Sequence, residues 1–122
     1  MFNLRFARRE SGRYPANEFL EDLAGRDRDS YDKFMRAFEK FEDHGPEGVA
    51  GLYKALHAQG GLVQFTIWKY RILGFRRGDE VFLTNGFKKD QDDTPVEELT
   101  RAQNIRVEHE QQVAKALGGG KK

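Results

Sequence analysis

The chain has no cysteine and little histidine, and each shortage excludes a class of chemistry. Without cysteine among its 122 residues, it has no thiol nucleophile, disulfide or cysteine-ligated zinc. The three histidines, His44, His57 and His109, lie far apart with no metal-ligand spacing, so we expect no metal site. The glycine motifs of P-loops and dinucleotide-binding folds are also absent, and we expect no cofactor.

Long hydrophobic runs are missing as well. No stretch approaches the roughly 20 apolar residues of a membrane helix, and the N-terminus lacks the apolar core of a signal peptide. We therefore expect a soluble, cytoplasmic protein with no membrane partner. The length predicts one domain over residues 1–117, followed by a flexible glycine and lysine tail at 118–122.

Charge is distributed unevenly behind a net charge of +1. Residues 61–89 contain six basic and two acidic residues, and residues 1–16 contain four basic and one acidic. Residues 17–43 contain five basic and nine acidic residues. If these segments form different layers, a basic sheet side would attract a polyanion such as RNA, and an acidic helical side would not.

The strands are predicted mainly in the second half of the chain. Three apolar runs at residues 62–67, 70–75 and 80–87 are separated by short turns, which is typical of antiparallel hairpins. Near the N-terminus, Phe2, Leu4 and Phe6 alternate with polar residues and predict an added strand of the same sheet.

Helical spacing predicts three helices. The first covers residues 16–23 and stops at Gly25; the second covers residues 31–41, capped by Asp29 or Ser30. Residues 47–61 are predicted to form a structured connector with a helical turn or two. The third helix, from Val96 to about Leu117 behind a Thr94 cap, has few apolar residues, so its second half is expected to be loosely held or to await a partner.

This order predicts an α+β fold. We expect a four-stranded antiparallel sheet with two N-terminal helices packed on one face and a C-terminal helix, and the element order favours all three helices on the same face.

Cations within the strands are the candidate functional groups. RNA can be cut without metal when its 2′-OH attacks the adjacent phosphate, if fixed cations stabilise the developing charge and another group moves protons. Arg71 lies mid-strand, where a guanidinium needs either a ligand or an acidic partner on a covering helix, and the residues leave both open. Lys88 and Lys89 end the last strand. They are either phosphate-binding residues or solvated residues that discourage strand pairing at the sheet edge. His57 or a lysine would move the proton.

The pattern YRILGF, a turn, VFLTNGFKK, Thr94-Pro95 and a helix carrying Glu97, Glu98 and Ala102 resembles the RelE/ParE toxin superfamily, specifically its HigB-like, phage-derived branch. The segment PANEFLEDL is similar to the first helix of these toxins. With the N-terminal strand and the paired helices, the resemblance extends to about Val107.

This resemblance implies a RelE-like fold and a toxin of a type II toxin–antitoxin system. Such toxins are metal-free endoribonucleases that cut mRNA, commonly on the ribosome, and are neutralised by an antitoxin, here expected to be of the helix-turn-helix type, in a hetero-oligomer. Arg71 matches the strand arginine that contacts the scissile phosphate, and Lys54 and His57 match more loosely. The candidate catalytic residues are Arg71, Lys88, Lys89 and His57. The candidate RNA-binding residues are Lys54, Lys69, Arg76 and Arg77, the last two being alternatively only part of a hairpin turn.

Three departures from the family pattern keep alternatives open. Gln64-Phe65-Thr66 stands where the family usually has Glu-Leu-Arg, and no tyrosine follows Tyr70. Acidic residues follow Lys89 where relatives often carry lysine: Asp90, Asp92 and Asp93. One alternative is a ParE-like toxin that inhibits DNA gyrase by protein binding and cuts nothing. The other is an inactive or purely interacting relative.

Overall fold

The computed structural model describes residues 1–89 and 95–118, and it contains one five-stranded sheet in the order β1-β5-β4-β3-β2. The strands are β1 (Asn3–Phe6), β2 (Tyr53–Leu56), β3 (Leu62–Ile67), β4 (Tyr70–Arg77) and β5 (Glu80–Lys88). The helices are α1 (Pro15–Arg26), α2 (Arg28–His44) and α3 (Val96–Gly118). The predicted Thr94 cap and residues 119–122 of the predicted tail lie outside the described residues.

The α+β class is confirmed, but the predicted four-stranded antiparallel sheet is wrong in two respects. The sheet is mixed, because β1 pairs with β5 in parallel; period-2 alternation identifies a strand but carries no information on its direction. The fifth strand, β2, lies in the segment predicted as a connector. It has only four residues at the sheet edge, and its two central residues are exposed, so it lacks the alternation that marks a half-buried strand.

Helices α1 and α2 pack together on one face of the sheet, as predicted. Their core is rich in aromatic rings, among which Phe41 and Phe65 meet edge to face at 5.5 Å. Two predicted details are wrong. Helix α1 continues through Gly25 to Arg26, and the cap of α2 is Asp27, whose carboxylate accepts hydrogen bonds from the backbone N–H and hydroxyl of Ser30.

Helix α3 lies on the opposite face, which corrects the expectation that all the helices share one face. Ala102 and Ile105 pack there against Leu73 and Phe75 of β4. The element order does not determine on which face of the sheet a final helix packs. The position of α3 was therefore predicted wrongly. No helix within residues 1–89 and 95–118 combines the length and apolarity needed to cross a membrane.

The second half of α3 is held by polar contacts rather than by apolar burial. Arg9 Nη2 lies 2.6 Å from the Glu108 carboxylate, and the backbone N–H of Arg8 donates to His109 Nδ1 at 3.0 Å. Gln112 also bonds Arg8. The expectation of a loosely held second half is therefore wrong at least as far as Gln112.

Candidate nucleic-acid interface

Beside the part of the sheet that α3 covers, a cleft of about 340 Å³ opens on the same sheet face. Its walls come from strands β2, β3 and β4, the segment before β2 and the residue that follows β5. We call this the cationic cleft. It is lined by Gly51, Leu52, Tyr53, Lys54, Gln64, Thr66, Arg71 and Lys89.

The register of the sheet explains why distant residues meet in the cationic cleft. Lys54 of β2 lies opposite Gln64 of β3, and Thr66 of β3 lies opposite Arg71 of β4. Side chains directly opposite on neighbouring strands point to the same face, with Cβ atoms about 5 Å apart. The Gln64 amide also donates to the Thr66 hydroxyl at 3.2 Å. Three strands therefore contribute polar side chains to one surface.

Arg71 is half-buried in this cleft, and no acidic side chain pairs with it over residues 1–89 and 95–118. Its Nη1 donates to the carbonyl oxygens of Trp68 at 2.8 Å and Tyr70 at 3.1 Å. Its Nε is buried and has no hydrogen-bond acceptor among the described residues. The salt bridge that the sequence left open is therefore not found in the described part of the chain.

Burial lowers the pKa of Arg71, yet a guanidinium stays charged in proteins. The cleft therefore contains a fixed positive charge with a buried, unsatisfied donor. Such a donor carries a desolvation cost, and a bound oxyanion would supply the opposite charge that the described residues do not provide.

The lysine pair at the end of β5 divides between two surfaces. Lys89 is half-buried and lines the cationic cleft, and its backbone N–H donates to the carbonyl of Lys69 at 2.6 Å. Lys88 lies opposite Tyr70 in the β4–β5 pair, so strand alternation directs it towards the face of α1 and α2. The structure therefore brings Lys89, Lys54 and Arg71 together and leaves Lys88 outside.

The other predicted site residues lie elsewhere. His57 is exposed and lines a second cleft of about 610 Å³ together with Arg76, whose guanidinium lies 5.0 Å from the centre of the Phe2 ring. Arg77 forms an ion pair with Glu110 of α3. Lys69 lies in the turn between β3 and β4, with its ammonium over the Trp68 ring.

Sequence reasoning missed several residues of the cleft, namely Tyr53, Gln64 and Thr66. A signal for two of them existed, since Gln64 and Thr66 are polar residues two apart in an otherwise apolar strand. Tyr53 was not identified because strand β2, in which it lies, was not predicted. Burial raises the pKa of Tyr53, an effect that the nearby Arg76 opposes. The Tyr53 ring packs against Phe41 and Phe65 in the core beneath α1 and α2, so only the backbone side of this residue borders the cleft.

The donor set of the cleft suits an anion rather than a metal ion. Its charged groups are one guanidinium and two ammonium groups, and its other polar side chains are an amide and a hydroxyl. Within residues 1–89 and 95–118, no cluster of three or more histidine or carboxylate side chains is arranged to hold a metal.

The fold and this cleft define a small α+β domain with an anion-binding surface on its sheet. A family model described as Phage derived protein Gp49-like (DUF891) matches residues 21–107, which include every residue of the cationic cleft. The chain belongs to this family, which is RelE-like and toxin-like. No curated protein matches the chain. The superfamily resemblance is confirmed at this level, and the HigB-like branch remains a prediction.

Proposed function

We propose that this protein is a HigB-like toxin of a type II toxin–antitoxin pair, and that its cationic cleft binds and cuts the backbone of mRNA, on the ribosome in the cytoplasm. One observation carries the proposal. Arg71 is half-buried without an acidic partner in the described chain, and its Nε has no acceptor, beside Lys54 and Lys89. Membership of a toxin-like family supports the same conclusion.

In the proposed step the 2′-oxygen of RNA forms a bond to phosphorus and the bond from phosphorus to the 5′-oxygen breaks. The proton of the 2′-OH passes to solvent, and the Lys54 ammonium donates a proton to the leaving 5′-oxygen. Arg71 and Lys89 stabilise the extra negative charge of the phosphorane. Removing one such preorganised donor typically slows a reaction by about 100-fold to 1,000-fold. The products are a 2′,3′-cyclic phosphate and a 5′-hydroxyl.

Lys54 is assigned the proton transfer in place of His57. Lys54 lines the cationic cleft with Arg71, whereas His57 lines the second cleft with Arg76. A proton donor must come within hydrogen-bond reach of the leaving oxygen. A phosphate held by Arg71 therefore favours Lys54.

The proposal is tested by inducing the protein in a bacterial host and mapping transcript ends. We expect growth arrest, cleaved mRNA with 5′-hydroxyl ends, and relief when the neighbouring gene, the expected antitoxin, is co-expressed. Folded Arg71→Ala should lose toxicity and cleavage together. Full toxicity of that variant would remove Arg71 from the mechanism.

The gyrase-binding alternative has one observation in its favour: the cationic cleft contains no histidine or carboxylate among the described residues, so a ready proton acceptor is missing there. The same experiment separates the two functions. Intact transcripts accompanied by DNA damage would favour a ParE-like toxin, and an absence of any growth effect would favour an inactive relative.

A further inference from the structure

The turn between β3 and β4 places a tryptophan where a two-residue hairpin usually has glycine, asparagine or aspartate. Trp68 has a φ of 51°, and it is the only residue other than glycine with a positive φ in residues 1–89 and 95–118. A bulky side chain in this region is strained. Trp68 is also 64% exposed, so burial does not explain why an aromatic residue occupies the position.

This turn is connected to the cationic cleft through its backbone. The Trp68 carbonyl accepts a hydrogen bond of 2.8 Å from Arg71, and the Lys69 carbonyl accepts one of 2.6 Å from the Lys89 backbone N–H. The backbone of the turn is therefore bonded to the Arg71 guanidinium and to the backbone of Lys89. A ligand bound to Arg71 lies next to this turn.

The indole has one cation and one aromatic ring as its neighbours. The Lys69 ammonium lies 4.9 Å from the centre of the Trp68 ring, and the Tyr70 ring meets it edge-on at 5.9 Å. Lys88 is exposed and lies opposite Tyr70 in the sheet. A nucleic acid would find a stacking surface beside groups that attract its backbone.

We propose that Trp68 is a base-stacking residue for single-stranded RNA. The nucleobase next to the phosphate that Arg71 binds stacks on the indole, and Lys69 faces the adjoining backbone. Every base has a π-face, so this contact adds affinity with little sequence preference. The inference rests on the proposed function and adds a substrate contact outside the cationic cleft.

Trp68 is the only tryptophan in the chain, so its fluorescence reports the contact directly. The probe is a short RNA oligonucleotide with 2′-O-methyl groups, which cannot be cleaved by 2′-OH attack, carrying a terminal dye. Dye anisotropy measures total binding, and tryptophan emission measures stacking. We expect the emission to be quenched at the same concentrations that raise the anisotropy.

Two substitutions and one ligand control isolate the ring. Trp68→Gly and Trp68→Asn suit a positive φ and remove the stacking surface, so both should weaken binding by about tenfold or more. An abasic oligonucleotide of the same length keeps the phosphates and lacks the bases. Wild type and Trp68→Gly should bind it equally.

The outcomes separate this inference from the proposed function. If the oligonucleotide binds through Arg71 while tryptophan emission is unchanged and Trp68→Gly binds as tightly as wild type, stacking is overturned and the proposed function stands. If no oligonucleotide binds, both fail. If Trp68→Gly binds RNA normally and loses only the antitoxin, Trp68 is a protein contact and the inference is overturned.

Discussion

Arg71 and Trp68 are joined by a hydrogen bond from the guanidinium Nη1 to the backbone carbonyl, 2.8 Å long. A carbonyl orients a guanidinium without neutralising it, unlike a carboxylate. Arg71 is thus held in place with its charge still available to a ligand. Its buried Nε lacks an acceptor in the part of the chain that the structure describes, which is the energetic cost of keeping it there.

The first prediction follows from that cost. Arg71→Met removes a buried charge and an unsatisfied donor and keeps a chain of similar length. We expect the free energy of unfolding in urea to be unchanged or higher by about 1 kcal/mol, while toxicity is lost. A destabilisation of about 2 kcal/mol or more would mean that Arg71 has a structural role, since that is the size of a lost buried interaction.

Arg77→Met is the matched control, because it makes the same change at the far end of the same strand, β4. Arg77 pairs with Glu110 of α3, and its side chain is largely exposed. We expect a loss of stability of at most about 1 kcal/mol. RNA binding should stay within about twofold of wild type, since a paired, exposed charge contributes little to a distant site. A loss of binding equal to that of Arg71→Met would show that RNA binds through the overall positive charge and not at the cationic cleft.

The second prediction concerns proton transfer. Lys54→Met should slow RNA cleavage by about 100-fold or more, in the range of a lost general acid. His57→Gln should leave the rate unchanged, because His57 lines a different cleft. Single-turnover cleavage of a labelled RNA measures both. The reverse result, with His57→Gln inactive and Lys54→Met active, would contradict the assignment.

The third prediction concerns the stability of the Trp68 turn. Trp68→Gly relieves a positive φ that costs about 1–3 kcal/mol in a residue with a side chain. It also loses the Lys69 and Tyr70 ring contacts, worth together about 1–2 kcal/mol. We therefore expect the unfolding free energy of Trp68→Gly, measured in urea, to lie within about 1 kcal/mol of that of wild type. A loss of about 3 kcal/mol, as for a core aromatic, would show that the indole is a packing element.

The fourth prediction concerns pH and the attachment of α3. Burial lowers the pKa of His109 below its ordinary value of 6.5; Glu110 opposes this shift and Arg77 adds to it. The neutral ring accepts the backbone N–H of Arg8 at 3.0 Å and packs 4.8 Å from the Phe82 ring. Protonation removes the acceptor and charges a half-buried group.

The sign follows from the depressed pKa. The unfolded chain binds a proton at His109 before the folded chain does, so this contribution to stability is complete above pH 6.5 and is lost as the pH falls through the folded pKa. Its slope is at most about 1.4 kcal/mol per pH unit. The difference in unfolding free energy between wild type and His109→Gln should shrink or reverse between pH 7 and 5. A constant difference would contradict the placement of His109.

Much of the architecture could be predicted from the sequence because its elements carry strong local patterns. The run Leu62–Ile67 was predicted to the residue, since a short run rich in apolar and β-branched side chains between turn residues is typical of a strand. Strand β2 was missed because Lys54 and Ala55 are exposed on an edge strand. The direction of β1 and the face of α3 depend on long-range packing, which periodicity does not encode.

The candidate site was predictable only in part. Arg71 stood out as a cation within an apolar strand, and two lysines that share its cleft were also named. The separation of His57 from Arg71, and of Lys88 from Lys89, depends on the register of β2 and on strand alternation at the end of β5. Trp68 gave no signal until its positive φ and its hydrogen bond to Arg71 were known.

The central claim is that Arg71 in the cationic cleft holds a phosphodiester of single-stranded RNA. It is tested most directly by titrating the dye-labelled 2′-O-methyl oligonucleotide with wild type, Arg71→Met and Arg77→Met at one fixed salt concentration. The account predicts that wild type and Arg77→Met bind equally and that Arg71→Met, still folded, binds at least about tenfold more weakly, as for a lost charged hydrogen bond. Equal affinity of all three proteins would contradict it.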